Sequence, residues 1–140
     1  MSDMSTLSHE YASTTDFSRQ INSAVLLLKK RYLRGEGSDI ARAELERARQ
    51  VVQQTIRTLL QRLGGEPLAQ GRESLPEDVL LRIEQKQRGN LDYFKQDLAE
   101  LDRAFTSDAR LGAEELALLD SICEAADASA SATFRKLWRR

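Results

Sequence analysis

The amino-acid sequence predicts an all-α chain, a four-helix bundle built from two antiparallel helical hairpins. Three observations carry this. Apolar residues recur at spacings of three and four, the helical period, and no convincing alternating strand pattern interrupts them. Both prolines lie outside the periodic segments or at the start of one. Glycine-containing or polar turn sequences divide the periodic segments into four stretches. The 140 residues suit one domain with a single core. Residues 1–15 read as a polar, disordered head. Residues 16–140 read as one helical domain: a hairpin over 16–63, a connection over 64–75 and a second hairpin over 76–140.

The first stretch runs from about Asp16, a residue suited to capping, to Arg34. Phe17, Ile21, Ala24, Leu28 and Tyr32 share one face, and Val25, Leu26 and Leu27 widen it. Lys29, Lys30, Arg31 and Arg34 fall in its last turns, where the helix dipole favours cations, and Gly35 ends it. The second stretch runs from about Asp39 to Leu63, with Ser38 or Asp39 as cap. Its core face is Leu45, Ala48, Val52, Ile56, Leu59 and Leu63; its opposite, polar face is Arg42, Arg49, Gln53, Arg57 and Gln61. Gly64 and Gly65 stop it. The short link over 35–38 makes these two stretches an antiparallel hairpin.

The third stretch begins near Pro76, a favoured first-turn residue, and reaches about Phe105. Leu91, Phe94, Leu98, Leu101 and Phe105 form a heptad seam. Upstream, Glu84 and Gln87 fall on that seam, and Gly89-Asn90 lies at the transition. The helix is therefore either straight or kinked or broken there. The fourth stretch, after the potential caps Thr106, Ser107 and Asp108, spans about Ala113 to Trp138. Leu116, Leu119, Cys123, Ala126, Ala130, Thr133 and Leu137 repeat along it, and small residues dominate 125–133.

Little in the sequence points to chemistry. One Cys and one His build neither a disulfide nor a structural zinc site. His9 lies in the polar head and reads as solvated. Cys123 lies on an apolar face near Asp120, Glu124 and Asp127, carboxylates that raise a thiol pKa, and reads as buried and structural. Glu-x-x-His is absent, as are phosphate-binding Gly loops and EF-hand loops, so the expectation is no cofactor, no metal, no small-molecule substrate and no catalysis. The first fifteen residues carry no apolar run and no Lys or Arg, unlike a signal or transit peptide. The longest apolar run, Ala24 to Leu28, is far short of a membrane span. Cytoplasmic location without an integral membrane segment is the expectation.

Charge is distributed unevenly. From Arg19 to Arg62 there are ten basic and four acidic residues; from Glu73 to Asp127 there are six basic and fourteen acidic. The net charge of −1 conceals this polarity. It predicts an internal match between a basic and an acidic hairpin, or a partner of opposite charge on either. Arg outnumbers Lys sixteen to five, which suits interfaces and equally a GC-rich genome. The sequence Phe134-Arg135-Lys136-Leu137-Trp138-Arg139-Arg140 reads first as an ordinary helix end, with Phe134, Leu137 and Trp138 in the core. Basic residues between aromatics also suit nucleic acid or an anionic membrane surface.

The functional expectation is a non-enzymatic helical interaction module: an adaptor, assembly subunit or chaperone that binds a protein partner or itself, as a homodimer. Val25, Leu26, Leu27, Ala126 and Ala130 are the expected self-association residues. The alternative is a nucleic-acid-binding subunit gripping the phosphate backbone. Its footprint would be Lys29, Lys30, Arg31, Arg34, Arg42, Arg49 and Arg57, with Arg135, Lys136, Arg139 and Arg140 of the last turn. An enzyme is the third and least favoured reading.

Overall fold

A computed structural model of the chain describes residues 3–64, 75–107 and 109–138, with side chains from residue 12 onward. Among these the structure is all-helical and contains no strand. Five α-helices are present: α1 (Asp3–Leu28), α2 (Arg42–Leu63), α3 (Glu77–Lys86), α4 (Leu91–Thr106) and α5 (Ala113–Trp138).

Five helices rather than four arise because the third predicted stretch is broken. Gln87 closes α3 and a single 3-10 turn, Arg88–Asn90, leads into α4. This is where Glu84 and Gln87 displace apolar residues from the seam. Without a buried face there is little to hold a continuous helix across a glycine, the weakest helix former after proline. On either side the seam is intact: Val79, Leu80 and Ile83 are buried on α3, and Phe94, Leu98, Leu101 and Phe105 on α4.

The first helix begins at Asp3, so residues from Asp3 to Thr15 are helical and not a disordered head. Asp16 lies inside the helix and caps nothing. Counting only apolar residues hid the reason. Thr14 is fully buried and its hydroxyl donates to both carboxylate oxygens of Asp78, at 3.1 Å each. Ser18, also buried, donates to Asp127 Oδ1 at 2.6 Å. Small hydroxyl residues pack here through their carbon atoms while their oxygens are satisfied across the helix interface.

α1 ends in a widened π-type turn, Lys29–Leu33. Gly35 and Gly37, at φ of 66° and 78°, then reverse the chain. Left-handed backbone of this kind favours glycine because it has no Cβ. The predicted caps Ser38 and Asp39 do not cap α2. Ile40 N–H closes a turn on the Gly37 carbonyl at 2.9 Å, and the helix starts after Ala41 with no side-chain cap. Gly64 ends α2 as expected, its N–H bonded to the Leu60 carbonyl at 2.9 Å. Most of the predicted connection, residues 65–74, lies outside the described residues.

α1 packs against α2 on one side and α5 on the other; α4 packs on α2, and α3 on α5. Cross-helix pairs fix the directions. Ser18 meets Asp127 while Lys29 meets Asp120, so α5 runs antiparallel to α1. Arg62 meets Glu77 while Gln53 meets Asp102, so the α3–α4 segment runs antiparallel to α2. The core is continuous through all five helices, from Ile21 and Leu28 through Ile56 and Leu59 to Leu98, Leu101 and Leu119. Each fully buried Leu or Ile contributes about 1.5–3 kcal/mol relative to exposure.

Candidate interaction surface

The helix α1 carries more apolar residues than one core can cover. With 100° between successive residues, five apolar residues in a row at 24–28 cannot all face inward. Ala24, Val25 and Leu28 are buried, Leu27 is half-buried at the edge of the core, and Leu26 is 46% exposed. On α2, Ala48 is buried and Val51 is partly buried beside it. Small side chains at Ala24 and Ala48 leave the space between the two helices open. The result is a groove of about 610 Å³ with Leu26, Leu27 and Val51 on its walls and Arg19, Glu44 and Arg47 at its rim.

Of the five expected self-association residues, the groove thus contains Leu26 and Leu27. Val25 and Ala126 are corrections: they are 3% and 0% exposed and belong to the core between α1 and α5. Periodicity alone could not rank Val25 behind Leu26. The docking of α5 and α2 on α1 makes that difference, burying Val25 and leaving Leu26 in the α1–α2 groove. Ala130 is half-buried on α5 and does not line the groove.

A second groove, of about 790 Å³, lies between α2 and α4 and is polar. Gln53 donates to Asp102 Oδ1 at 3.2 Å and to Thr106 Oγ1 at 3.1 Å; Arg57 Nε donates to the same Asp102 oxygen at 3.0 Å. Gln53, Arg57 and Asp102 are thus already engaged with one another, and the smaller apolar groove is the better candidate for burial against another molecule.

The basic hairpin is less basic at its surface than in sequence. Arg49, placed in the anionic-partner footprint, is a correction: it is only 7% exposed. Its guanidinium lies 4.9 Å from the Phe105 ring centroid and 5.8 Å from that of Tyr32. Nη1 donates to the Tyr32 hydroxyl at 3.0 Å, and Nη2 to the Phe105 carbonyl at 3.4 Å. Lys29 pairs with Asp120 at 2.5 Å and Arg57 with Asp102 at 3.0 Å. Arg62 reaches Glu77 and Glu84, at 2.7 Å each; hydrogen bonding to Glu84, then Glu77, raises its pKa further. Four of the ten cations of 19–62 therefore turn toward the acidic half of the chain. The other six share the segment 19–62 with four carboxylates, Glu36, Asp39, Glu44 and Glu46. Lys30 is half-buried and Arg31, Arg34 and Arg42 are exposed at this end of the hairpin.

The last turns of α5 depart from the helix-end reading. Leu137 is half-buried, but Phe134 is 44% and Trp138 74% exposed. Their ring centroids are 5.9 Å apart with planes at 57°. Arg135 and Lys136 are exposed beside them, and Arg139 and Arg140 lie outside the described residues.

Cys123 is buried, its thiol 3.9 Å from the Ile21 carbonyl. Burial, reinforced by Asp120 and Asp127, pushes its pKa up to about 12. A thiol held protonated in this way is a packing group rather than a nucleophile. Among the described residues no three His, Cys, Asp or Glu side chains converge on a metal-binding point.

Fold and surface define an all-helical protein; among the described residues no helix is long and apolar enough to cross a membrane. Comparison of the chain with protein families, with curated proteins and with solved structures gives no match.

Proposed function

We propose that this chain is a non-enzymatic helical interaction module that associates with itself through the groove between α1 and α2. In this reading α3 and α4 count as one interrupted rod, and the chain is a four-helix bundle of two hairpins working in the cytoplasm. The observation that carries the proposal is Leu26. It is a large apolar side chain, 46% exposed, at the mouth of a groove whose walls are themselves apolar. A second copy supports it better than an unrelated charged partner does. The rim presents both signs, Arg19 and Arg47 with Glu44, and a two-fold contact between identical patches needs self-complementary charge. The net charge of −1 leaves little long-range repulsion between copies.

The phosphate-backbone alternative loses support from Arg49, Lys29 and Arg57, whose charges are engaged within the chain. The self-association reading is tested by gel filtration of Leu26→Glu and Leu27→Glu. Both variants are expected to elute later than the unsubstituted chain, as a smaller species. Unchanged elution of both would overturn it.

A further inference from the structure

Trp138 is the most exposed large hydrophobic side chain described, and neither the core nor the α1–α2 groove uses it. We propose that the last turns of α5 dock on an anionic lipid surface. Trp138 and Phe134 lie one turn apart on one side of the helix and contact each other through tilted rings, forming one apolar wedge. Arg135 and Lys136 are exposed on the same last turns, Arg135 about 100° around the helix from Phe134 and Lys136 about 200°. No carboxylate occurs in the sequence between Ala128 and Arg140. The nearest acids upstream are engaged: Asp127 accepts from Ser18 and Asn22, and Asp78 on α3 accepts from Thr14. An indole and a phenyl ring at the tip of a cationic helix match the interfacial region of a bilayer. There the rings sit at headgroup depth while Arg and Lys meet the lipid phosphates and extend their stems along the surface.

The ring geometry separates lipid from nucleic acid. Bases stack on an aromatic face presented flat and open. At 57° and 5.9 Å the tilted pair forms a ridge and not two parallel platforms for successive bases. Insertion into a disordered headgroup layer has no such requirement. The wedge is small, so binding is reversible and depends on anionic lipid and on salt.

Trp138 is the only tryptophan, so the intact protein's own fluorescence reports the contact. Vesicles of phosphatidylcholine containing a third phosphatidylserine are expected to shift its emission to shorter wavelength and to carry the protein down on sedimentation. Vesicles of phosphatidylcholine alone are expected to do neither. The double variant Arg135→Glu and Lys136→Glu, with helicity verified by circular dichroism, should lower partitioning by roughly twentyfold or more, given about fivefold per cation. Trp138→Ser, followed by sedimentation, should lower it as well. No shift with either vesicle, or equal shifts with both, would overturn the proposal. So would an emission already buried before lipid is added, or a shift produced by a single-stranded oligonucleotide and not by vesicles. None of these readings depends on self-association through Leu26.

Discussion

The guanidinium of Arg49 lies 4.9 Å from the centroid of the Phe105 ring and ties the α2 helix to the end of α4. It also donates to the Phe105 carbonyl at 3.4 Å and to the Ala109 carbonyl at 3.5 Å. Those oxygens sit at or beyond the helix end, where the last four carbonyls of α4 have no intrahelical partner. One cation thus satisfies the end of α4, holds the chain entering α5, and fills a gap that an apolar side chain could fill without satisfying the carbonyls. Arg49→Ala is expected to cost about 2–4 kcal/mol, combining a desolvated cation–π contact with charge-assisted hydrogen bonds. Urea unfolding checks this. Arg49→Lys should recover less than half of the loss, because an ammonium lacks the planar fork.

Val25 and Leu26 are adjacent and should behave oppositely. Val25 is 3% exposed, so Val25→Ala is expected to cost about 1–2 kcal/mol through lost burial and the cavity left behind. Leu26→Glu should change the stability of the isolated chain by no more than about 0.5 kcal/mol, as a surface substitution does. Thermal unfolding at low protein concentration measures both.

Much of this fold was legible in the sequence, and the exceptions share a cause. Helix boundaries set by glycine or by loss of the seam, such as Gly64 and the break before Leu91, follow from local chemistry. The core faces of α2, α4 and α5 follow from period. Arg49, Thr14 and Trp138 were misread because each residue type was assigned its commonest environment. Arg49 is buried because a tertiary neighbour, the end of α4, supplies acceptors and an aromatic face. Thr14 is buried because Asp78, far along the chain, accepts its hydroxyl's hydrogen bond. Trp138, in the last described turn of α5, is 74% exposed. Of the candidate site, Leu26 and Leu27 were visible as excess apolar width. Which of the neighbouring residues would be left bare depends on where α5 and α2 dock, and that is a property of the assembled fold.

Cys123 makes stability depend on alkaline pH. Its thiol titrates near 12 when folded, against an ordinary value of 9.0. Below pH 9 both states keep the proton and this group contributes no slope. Between about 9 and 12 the unfolded chain loses the proton while the folded chain retains it. Stability should therefore fall with rising pH, by up to about 1.4 kcal/mol per unit. Cys123→Ala should remove that component of the slope in urea titrations across this window. Alkylation by iodoacetamide at pH 8 should be slow until the chain unfolds.

The cross-hairpin ion pairs are expected to be unequal. Arg57 is more than half exposed, at 58%, and Arg57→Ala should cost no more than about 0.5 kcal/mol, the usual worth of a solvated pair. Arg62 engages two carboxylates, Glu77 and Glu84, and joins α2 to α3 across the chain connection. Arg62→Gln should cost about 1 kcal/mol, diminishing in high salt. Denaturant midpoints at low and high ionic strength distinguish the two.

The central claim, self-association through the α1–α2 groove, is tested most directly by sedimentation equilibrium of the unsubstituted chain beside Leu26→Glu over a wide concentration range. The chain mass is 15.8 kDa. The account expects the unsubstituted protein to approach twice that mass as concentration rises while Leu26→Glu stays at the single-chain value. A single-chain mass for the unsubstituted protein throughout, or a doubled mass that survives Leu26→Glu, would contradict it.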